Sequence, residues 1–347
     1  MKRAAPLALA LGATACGSRT GLLIPDTVGP RDSGVEAAPP PPQPASCVLY
    51  GGFLSAQGTD TDKGWRLSGN TWLPLPTVLS PPECAGQCGY DGAAVDAGGR
   101  LLFILAASTS GAIAMQTFAW DGVSLTEVTT SNAPPARFRG AVAAISDKVV
   151  MFGGVPPAGP FSFMSDTWIL EGSAWTPINT PVAPSPRGRA AATAVGGKMV
   201  IFGGADSSGV LGDTWVFDGA SWSPGPGQLA PSARSDATMA TVGGAGVMFG
   251  GCVGGGYTGC SDIGTSSAET WQWDPTAGWT PLHPAASPPA RNYASMTTVG
   301  TSALLVGGFA GPQQSVTLDD AWMWNGAWTP APFAAPLAAG GSALACE

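Results

Sequence analysis

Short apolar runs recur along most of the chain, and several of them end in a pair of glycines. Residues 149–152, Val-Val-Met-Phe, precede Gly153 and Gly154, and residues 199–202, Met-Val-Ile-Phe, precede another such pair. Gly, Pro and Asp bound these runs on both sides. Runs of this length with these boundaries predict β-strands separated by turns.

Each glycine pair is followed by a variable loop and then by two tryptophans on either side of a turn. The clear copies begin their glycine pairs at Gly153, Gly203, Gly250 and Gly307, at spacings of 50, 47 and 57 residues. Two weaker copies lie upstream, one after Gly51 and one at residues 102–125, which has no glycine pair and Leu125 in place of its second Trp. Six copies at such a period indicate a repeat architecture.

The composition supports an all-β fold and narrows the possible functions. Of the 347 residues, 44% are hydrophobic and 13 are Trp, which is enough for a sizeable core. Only 11% are charged, against roughly 25% in average soluble domains, so long salt-bridged helices are disfavoured. The net charge of −8 argues against a nucleic-acid partner, and the single His excludes His-rich metal sites and most His-based catalysis.

The repeating unit resembles the Kelch repeat, in which a strand ends in Gly-Gly and two aromatic residues follow a variable loop. The resemblance covers residues 48–346. It implies a six-bladed β-propeller with four antiparallel strands per blade. It also implies that the C-terminal strand, within residues 336–346, completes the first blade, which begins at Cys47 without an opening strand of its own. The domain boundary is therefore drawn at residues 47–347.

Six cysteines are available for disulfides in this region, and six allow 15 pairings. They are Cys47, Cys346, Cys84, Cys88, Cys252 and Cys260. The resemblance implies that Cys47 and Cys346 lie on adjacent strands of the closing blade, whereas the other four flank two loops in pairs. A metal site is the alternative. However, the Cys-x3-Cys and Cys-x7-Cys spacings are longer than the Cys-x2-Cys spacing typical of zinc sites, and these cysteines have no His partners. Disulfides are therefore predicted, and no metal or cofactor.

The N-terminus has the features of an export signal. Lys2 and Arg3 precede an apolar stretch at residues 4–13, which is too short to span a bilayer. Residues 13–16, Ala-Thr-Ala-Cys, resemble the bacterial lipobox, although Ala13 stands where Leu is usual. This predicts a signal peptide at residues 1–15 and a lipidated Cys16. A plain secretory signal cut near residue 15 is the alternative.

Residues 16–46 are predicted to form a tether between the lipid and the repeats. They contain the run Pro-Pro-Pro-Pro-Gln-Pro at residues 39–44, which favours an extended, solvated spacer. Gly17 after the cysteine suggests, by resemblance, sorting to the outer membrane. The lipid anchor is the only membrane contact that we expect.

Four repeats carry an arginine before their first strand and an acidic residue just before their first Trp. These are Arg137, Arg187, Arg234 and Arg291, with Asp166, Asp213, Glu269 and Asp320. The arginines suggest either an anion site at the channel mouth or a structural ion pair in each blade. The arginines and the acidic residues occur in equal numbers and at equivalent positions of the repeat, which favours the structural pair. No catalytic residue is predicted, and His283 is expected on the surface.

The loops after the second strands differ in every repeat, and variable loops on a rigid frame commonly carry function. The longest, at residues 252–268, has Tyr257 as a candidate aromatic anchor and Asp262 as a candidate polar contact. Tyr257 packing within its own loop is an equal alternative. The sequence thus favours a non-enzymatic, lipid-anchored scaffold that binds a protein or glycan at the cell envelope. A carbohydrate-active propeller of the sialic-acid mutarotase type is the alternative.

Overall fold

The structure is a computed structural model that describes residues 46–54, 59–60, 63–76, 92–108, 113–157, 162–256, 260 and 264–347. The predictions for Cys16, the signal peptide, the tether, Cys84 and Cys88 lie outside these residues. The described chain is all-β, with one short 3-10 helix at Pro312–Gln314. No helix in the described ranges has the length and apolar character needed to cross a membrane.

Within the described residues, the main strands form six four-stranded antiparallel sheets, numbered here along the chain. Sheet 1 contains Cys47–Tyr50, Gly64–Ser68, Thr71–Pro74 and Ala343–Cys346. Sheet 2 contains Ala93–Asp96, Leu101–Ser108, Ile113–Trp120 and Leu125–Glu127. Sheet 3 contains Ala141–Ile145, Lys148–Gly154, Met164–Glu171 and Ala174–Ile178.

The remaining three sheets repeat the same order of strands. Sheet 4 contains Ala191–Val195, Lys198–Phe202, Thr214–Phe217 and Trp222–Pro224. Sheet 5 contains Thr238–Val242, Ala245–Phe249, Thr270–Asp274 and Gly278–Leu282. Sheet 6 contains Ser295–Val299, Ser302–Val306, Ala321–Trp324 and Trp328–Pro330. The predicted all-β architecture of four-stranded antiparallel sheets is therefore confirmed.

The described chain also contains nine short strands, and all of them except Arg234–Ser235 lie in the connections between the second and third strands of the sheets. They are Phe53–Leu54, Thr59–Asp60, Ala205–Asp206, Gly209–Val210, Arg234–Ser235, Cys252–Val253, Thr265–Ser266, Phe309–Ala310 and Val316–Thr317. Most of them pair as small hairpins at one end of the sheets. Arg234–Ser235 instead pairs with Cys252–Val253, so the segment before the first strand of sheet 5 is tied to the connection after its second strand.

Sheet 1 is built from both ends of the described chain. Cys47–Tyr50 pairs antiparallel with Ala343–Cys346, and Cys47 lies directly opposite Cys346. Their Cα atoms are 4.0 Å apart and their Sγ atoms lie at disulfide distance. This pairing gives sheet 1 the fourth strand that its own repeat lacks.

The hydrophobic core consists of clusters between neighbouring sheets. One cluster joins Phe152 of sheet 3 to Phe217 of sheet 4, and others join sheets 2 and 3, 4 and 5, and 5 and 6. Two more connect sheet 1 with sheet 6 and with sheet 2. Every sheet therefore shares buried apolar side chains with two others.

The second Trp of a repeat joins its sheet to the preceding one. Trp222 packs against Phe152 with ring centroids 5.0 Å apart, and its Nε1 donates to Thr167 Oγ1 at 2.9 Å. The same two contacts recur at Trp279 and at Trp328, whose Nε1 atoms donate to Thr214 and Thr270. Aromatic burial and a satisfied indole N–H thus occur together at these boundaries.

The boundary between sheets 6 and 1 lacks this hydrogen bond. Ala321 occupies the position of the accepting threonine, and Val306 occupies that of the phenylalanine. Trp72 Nε1 is buried here without a hydrogen-bond partner among the described residues. A buried donor without an acceptor destabilises the folded state.

In sheet 2, strand residues occupy most of the segment 106–116, where the repeat pattern predicts a variable loop after the second strand. Its second and third strands, Leu101–Ser108 and Ile113–Trp120, each have eight residues and pair through most of that range. By strand register, Leu105 and Ala106 stand where the other repeats have two glycines. Leucine and alanine do not readily adopt positive φ, so the strand continues.

We expect Thr270→Ala to lower the free energy of unfolding by about 1–3 kcal/mol, because Trp328 Nε1 loses its acceptor. Ala321→Thr is expected to raise it by about 1 kcal/mol by giving Trp72 Nε1 an acceptor. Denaturant unfolding measures both changes, with the exposed substitution Thr276→Ala as the control. A loss of stability in Ala321→Thr would show that position 321 is not equivalent to position 270.

Candidate functional site

The first strands of the sheets line a central cavity of about 680 Å³. Most of the lining side chains are Ala, Ser and Thr, as in Ala191–Val195 and Ser295–Val299. Small side chains leave space between strands that converge, so the cavity follows from the short residues that the sequence places there. Its volume lies within the range of small-molecule sites, roughly 300–1,000 Å³.

Four large side chains, named here the mouth cluster, lie together at one end of this cavity. They are Arg139, Arg189, Asp236 and Tyr293. Each comes two residues after the arginine of its repeat, and Gly341 holds the equivalent position in sheet 1. The second repeat has Asp91 at this register, outside the described residues.

Backbone hydrogen bonds connect these positions from repeat to repeat. The N–H of Arg189 donates to the carbonyl of Arg139 at 2.9 Å, and Asp236 N–H donates to Arg189 at 3.0 Å. Tyr293 N–H donates to Asp236 at 2.9 Å, and Gly341 N–H donates to Tyr293 at 2.8 Å. The mouth cluster is therefore held by main-chain bonds that do not depend on side-chain identity.

All residues of the mouth cluster have left-handed backbone conformations. Their φ angles are 59° at Arg139, 63° at Arg189, 54° at Asp236 and 59° at Tyr293, against 71° at Gly341. A non-glycine residue in this region costs on the order of 1 kcal/mol or more. Gly341 shows that glycine meets the backbone requirement, so the turn itself does not need these four side chains. Conformational cost of this kind is typical of functional sites.

An ion pair and an aromatic ring organise the mouth cluster. Arg189 Nη1 lies 3.1 Å from Asp236 Oδ2, with side-chain exposures of only 9% and 3%. Ser235 Oγ also donates to Asp236 Oδ2, at 2.8 Å. The guanidinium carbons of Arg139 and Arg189 lie 5.3 and 5.6 Å from the ring centroid of Tyr293. Two cations thus converge on one aromatic ring.

The variable loops begin immediately above the mouth cluster. Phe138 forms a β-bridge with Val155, Gly188 with Ala205, and Asn292 with Phe309. Each bridge joins the residue just before a mouth position to the start of the loop after the second strand. The cavity mouth and these loops therefore belong to one face of the molecule.

The loop at residues 252–268 is described only in part. Cys252 and Cys260 are buried, with Cα atoms 5.4 Å apart and Sγ atoms at disulfide distance. Tyr257 and Asp262 lie outside the described residues, so their roles in ligand binding stay predictions.

The repeat arginines form ion pairs within their own sheets. Arg187 Nη1 and Nη2 donate to the two carboxylate oxygens of Asp213 at 2.6 and 2.8 Å, and Nη1 also donates to the carbonyl of Gly203. Arg137 and Arg291 make the same contacts with Asp166 and Asp320, and Arg234 pairs with Glu269. These four guanidinium groups are almost fully buried.

The sheets without a repeat arginine also lack the acidic residue. In sheet 1, Ala339 occupies the position of the repeat arginine and Lys63 occupies that of the acidic residue. In sheet 2, Gln116 occupies the position of the acidic residue. Joint loss of both members supports the structural-pair interpretation over an anion site formed by the repeat arginines. The first Trp of the repeat also binds the acidic residue, since Trp215 Nε1 donates to Asp213 Oδ2 at 2.7 Å.

The ion pairs alter the acidity of their carboxyl groups. Burial raises the pKa, but hydrogen bonds from the arginine and the Trp, together with the arginine charge, outweigh it. The pKa is therefore below its ordinary value at Asp166, Asp213, Glu269 and Asp320. These groups are poised to remain ionised, which suits a structural role better than general acid catalysis.

The comparison with known proteins supports the repeat assignment. Residues 98–228 match the family model for the KLHDC2/KLHL20/DRC7 Kelch-repeats domain. The predicted Kelch repeat is therefore confirmed for this part of the chain. Repeats of this kind suggest a propeller-type interaction scaffold. No curated protein matches the sequence.

The mouth cluster was not among the site residues that the sequence predicts. A signal was present, because Arg139, Arg189 and Tyr293 interrupt segments that otherwise contain mostly small residues, always two positions after the repeat arginine. What the sequence did not reveal is that this position has positive φ and directs the side chain to the cavity. His283 is exposed, as expected, and no group of three potential metal ligands occurs within the described ranges.

We expect Asp213→Asn to lower the free energy of unfolding at pH 7 by up to about 3 kcal/mol, because it leaves the Arg187 charge buried without its carboxylate. The estimate is at the low end for a broken buried pair because Asp213 is 45% exposed. Denaturant midpoints at pH 7 measure the change, with the exposed substitution Asp147→Asn as the control.

The lowered pKa values of these carboxyl groups predict how the free energy of unfolding changes at acidic pH. Since their pKa values are lowered on folding, their stabilisation is fully present above the unfolded-state pKa of about 4 and is lost as the pH falls through the lower folded values. Asp213→Asn should therefore show a shallower decline of stability with acidification. An unchanged slope would contradict the assignment.

Proposed function

We propose that this protein is a non-enzymatic scaffold that binds a protein or glycan partner through the face that carries the cavity mouth and the variable loops. One observation carries the proposal: the contacts that stabilise the sheets repeat along the chain, whereas the face with the cavity mouth and the loops does not. The ion pairs and Trp contacts recur from sheet to sheet, whereas the mouth positions carry Arg, Asp, Tyr or Gly and the loops above them differ in every repeat. Such a division is typical of rigid frames that present binding loops.

The proposal includes a six-bladed propeller closed by the C-terminal strand. Its support is the cyclic sharing of apolar clusters, in which sheet 1 contacts both sheet 6 and sheet 2. Closure removes the exposed strand edges that an open arrangement would leave. A Cys47–Cys346 disulfide would hold the closing pair in register, and a Cys252–Cys260 disulfide would order the longest loop before binding.

The proposal places the scaffold at the cell envelope, attached through Cys16. Its support is the sequence alone: the positive start, the short apolar stretch and the small residues before the cysteine. The proline-rich segment at residues 39–44 would hold the binding face away from the lipid surface. An exported location also permits stable disulfides.

Lipidation is tested by mass spectrometry of the mature N-terminus. We expect a lipid-modified Cys16 in the wild type, and we expect Cys16→Ala to be released from membranes in soluble form. Cys84→Ala is the matched control, since it removes a cysteine but leaves the expected attachment site. An unmodified mature N-terminus in the wild type would refute the lipid anchor.

Partner binding is tested by affinity capture from envelope extract with the soluble repeats, residues 45–347, followed by titration of the recovered partner. Tyr257→Ala is expected to weaken that partner by more than about 1 kcal/mol without changing the melting temperature. Asp147→Ala, in a turn at the opposite end of sheet 3, is the matched control. Loss of binding in the control but not in Tyr257→Ala would place the interface on the other face.

A further inference from the structure

We propose that the pairing of Ala343–Cys346 with Cys47–Tyr50 depends on oxidation, because a Cys47–Cys346 disulfide takes the place of the ion pair that the regular repeats have. The inference rests on the closed ring of the proposed function and deepens it, since it makes closure conditional on the redox state of the surroundings. Reducing conditions are expected to open sheet 1 before any other sheet of the described chain.

The two strands that close sheet 1 lie far apart in the sequence. They pair at four positions, and the two cysteines are 299 positions apart. Each of the other sheets in the described ranges takes its four strands in order from one stretch of the chain. Because closing a longer loop costs more conformational entropy, chain connectivity holds the pairing in sheet 1 less well than the pairings elsewhere.

Sheet 1 has neither member of the buried ion pair. Gly308 N–H donates to the carbonyl of Ala339 at 2.9 Å, as Gly251 N–H donates to that of Arg291, so Ala339 stands in the place of a repeat arginine. By the same main-chain criterion, Lys63 stands in the place of the acidic residue. The segment before Ala343–Cys346 therefore lacks the side-chain contacts that an arginine makes in the regular repeats.

The boundary between sheets 6 and 1 is also weaker than the other boundaries that a second Trp forms. Trp72 occupies the position of Trp328, but Ala321 offers its indole N–H no hydroxyl acceptor. Trp72 packs edge to face on Phe333, with ring centroids 6.2 Å apart. Sheet 1 thus combines a long-range strand pairing with a buried donor that has no acceptor in the described chain.

Sheet 2 lacks the same repeated side chains but has a different compensation. Gln116 stands in the place of its acidic residue and Leu125 in that of its second Trp. Its second and third strands pair at seven positions, whereas the second and third strands of sheet 1 pair at four. Extra main-chain pairing therefore supports sheet 2. In the described part of sheet 1, the contact that has no counterpart in the other sheets is the cysteine pair.

The position of the cysteines couples oxidation to strand pairing. Cys47 lies directly opposite Cys346, and both side chains are buried. As their S–S bond forms, the S–S bond of a thiol–disulfide exchange partner breaks, and two electrons and two protons pass to that partner, which leaves as two thiols. Since both cysteines are buried in the paired strands, the exchange takes place while Ala343–Cys346 is detached, and pairing then encloses the new bond.

The experiment compares two double variants of the full-length chain that carry Cys16→Ala, which keeps the protein in soluble form. The closing variant removes the cysteine pair of sheet 1. The loop variant is the matched control, since it removes a pair that is also fully buried but only 8 positions apart. The two variants are Cys47→Ala/Cys346→Ala and Cys252→Ala/Cys260→Ala.

Hydrogen–deuterium exchange with mass spectrometry measures the opening of Ala343–Cys346 and, for comparison, of Lys198–Phe202 in sheet 4. We expect exchange at Ala343–Cys346 to be at least about tenfold faster in the closing variant and unchanged in the loop variant. Without the cysteine substitutions, exchange at this strand should rise with the fraction of reduced Cys47 across glutathione buffers, as alkylation of the thiol reports.

A restoring variant tests whether the disulfide replaces the ion pair. It adds Ala339→Arg and Lys63→Asp to the closing variant, and exchange at Lys198–Phe202 shows whether it is folded. We expect the added pair to recover part of the protection at Ala343–Cys346. A folded restoring variant without any recovery would show that the disulfide does not substitute for the pair.

Unchanged exchange at Ala343–Cys346 in the closing variant, or equal acceleration in the loop variant, overturns the redox-dependent closure alone and leaves the scaffold in place. Peptide mapping that finds no Cys47–Cys346 bond in the oxidised protein overturns this inference together with the disulfide in the proposed function. Partner capture uses the oxidised protein and reports on the binding face, so its failure is distinct from both results.

Discussion

The buried arginine of each regular repeat is the interaction on which the structure depends. A guanidinium group with almost no solvent contact must have all its charge and donors satisfied inside the protein. Arg187 meets this demand with the carboxylate of Asp213, the carbonyl of Gly203 and the hydroxyl of Ser185. The arginine thereby joins the segment before the first strand to the ends of the second and third strands.

The glycine pairs connect each sheet to the buried arginine of the next sheet. Gly154 N–H donates to the carbonyl of Arg187 at 2.8 Å, so the end of a strand in sheet 3 is bonded to the arginine of sheet 4. A Cβ on Gly153 would lie 2.4 Å from the same carbonyl oxygen, and both glycines have positive φ. Glycine is required here for close approach as well as for conformation. Where sheet 2 has Leu105 and Ala106 instead, its strand continues beyond this point.

This frame makes the mouth cluster possible. The arginine units and the chain of backbone hydrogen bonds hold four non-glycine residues in a left-handed conformation that they would not adopt alone. Because these bonds use main-chain atoms, the side chains at the mouth are free to differ between repeats. A regular frame with one variable position per repeat is therefore a means of presenting a particular set of side chains at one place.

The sequence by itself determined the strands, the repeat and the pairing of Arg with acid, because these depend on local apolar runs and on residues that recur at one period. It also indicated which loops vary. Only the tertiary structure decided that Arg139, Arg189, Asp236 and Tyr293 meet, because each lies about 50 residues from the next and is brought to the cavity by main-chain bonds between sheets. It likewise distinguished the two tryptophans, since one bonds to the acid of its own sheet and the other to a threonine of the neighbouring sheet. Contacts across sheets depend on how the sheets pack, and a pattern along one chain does not contain that information.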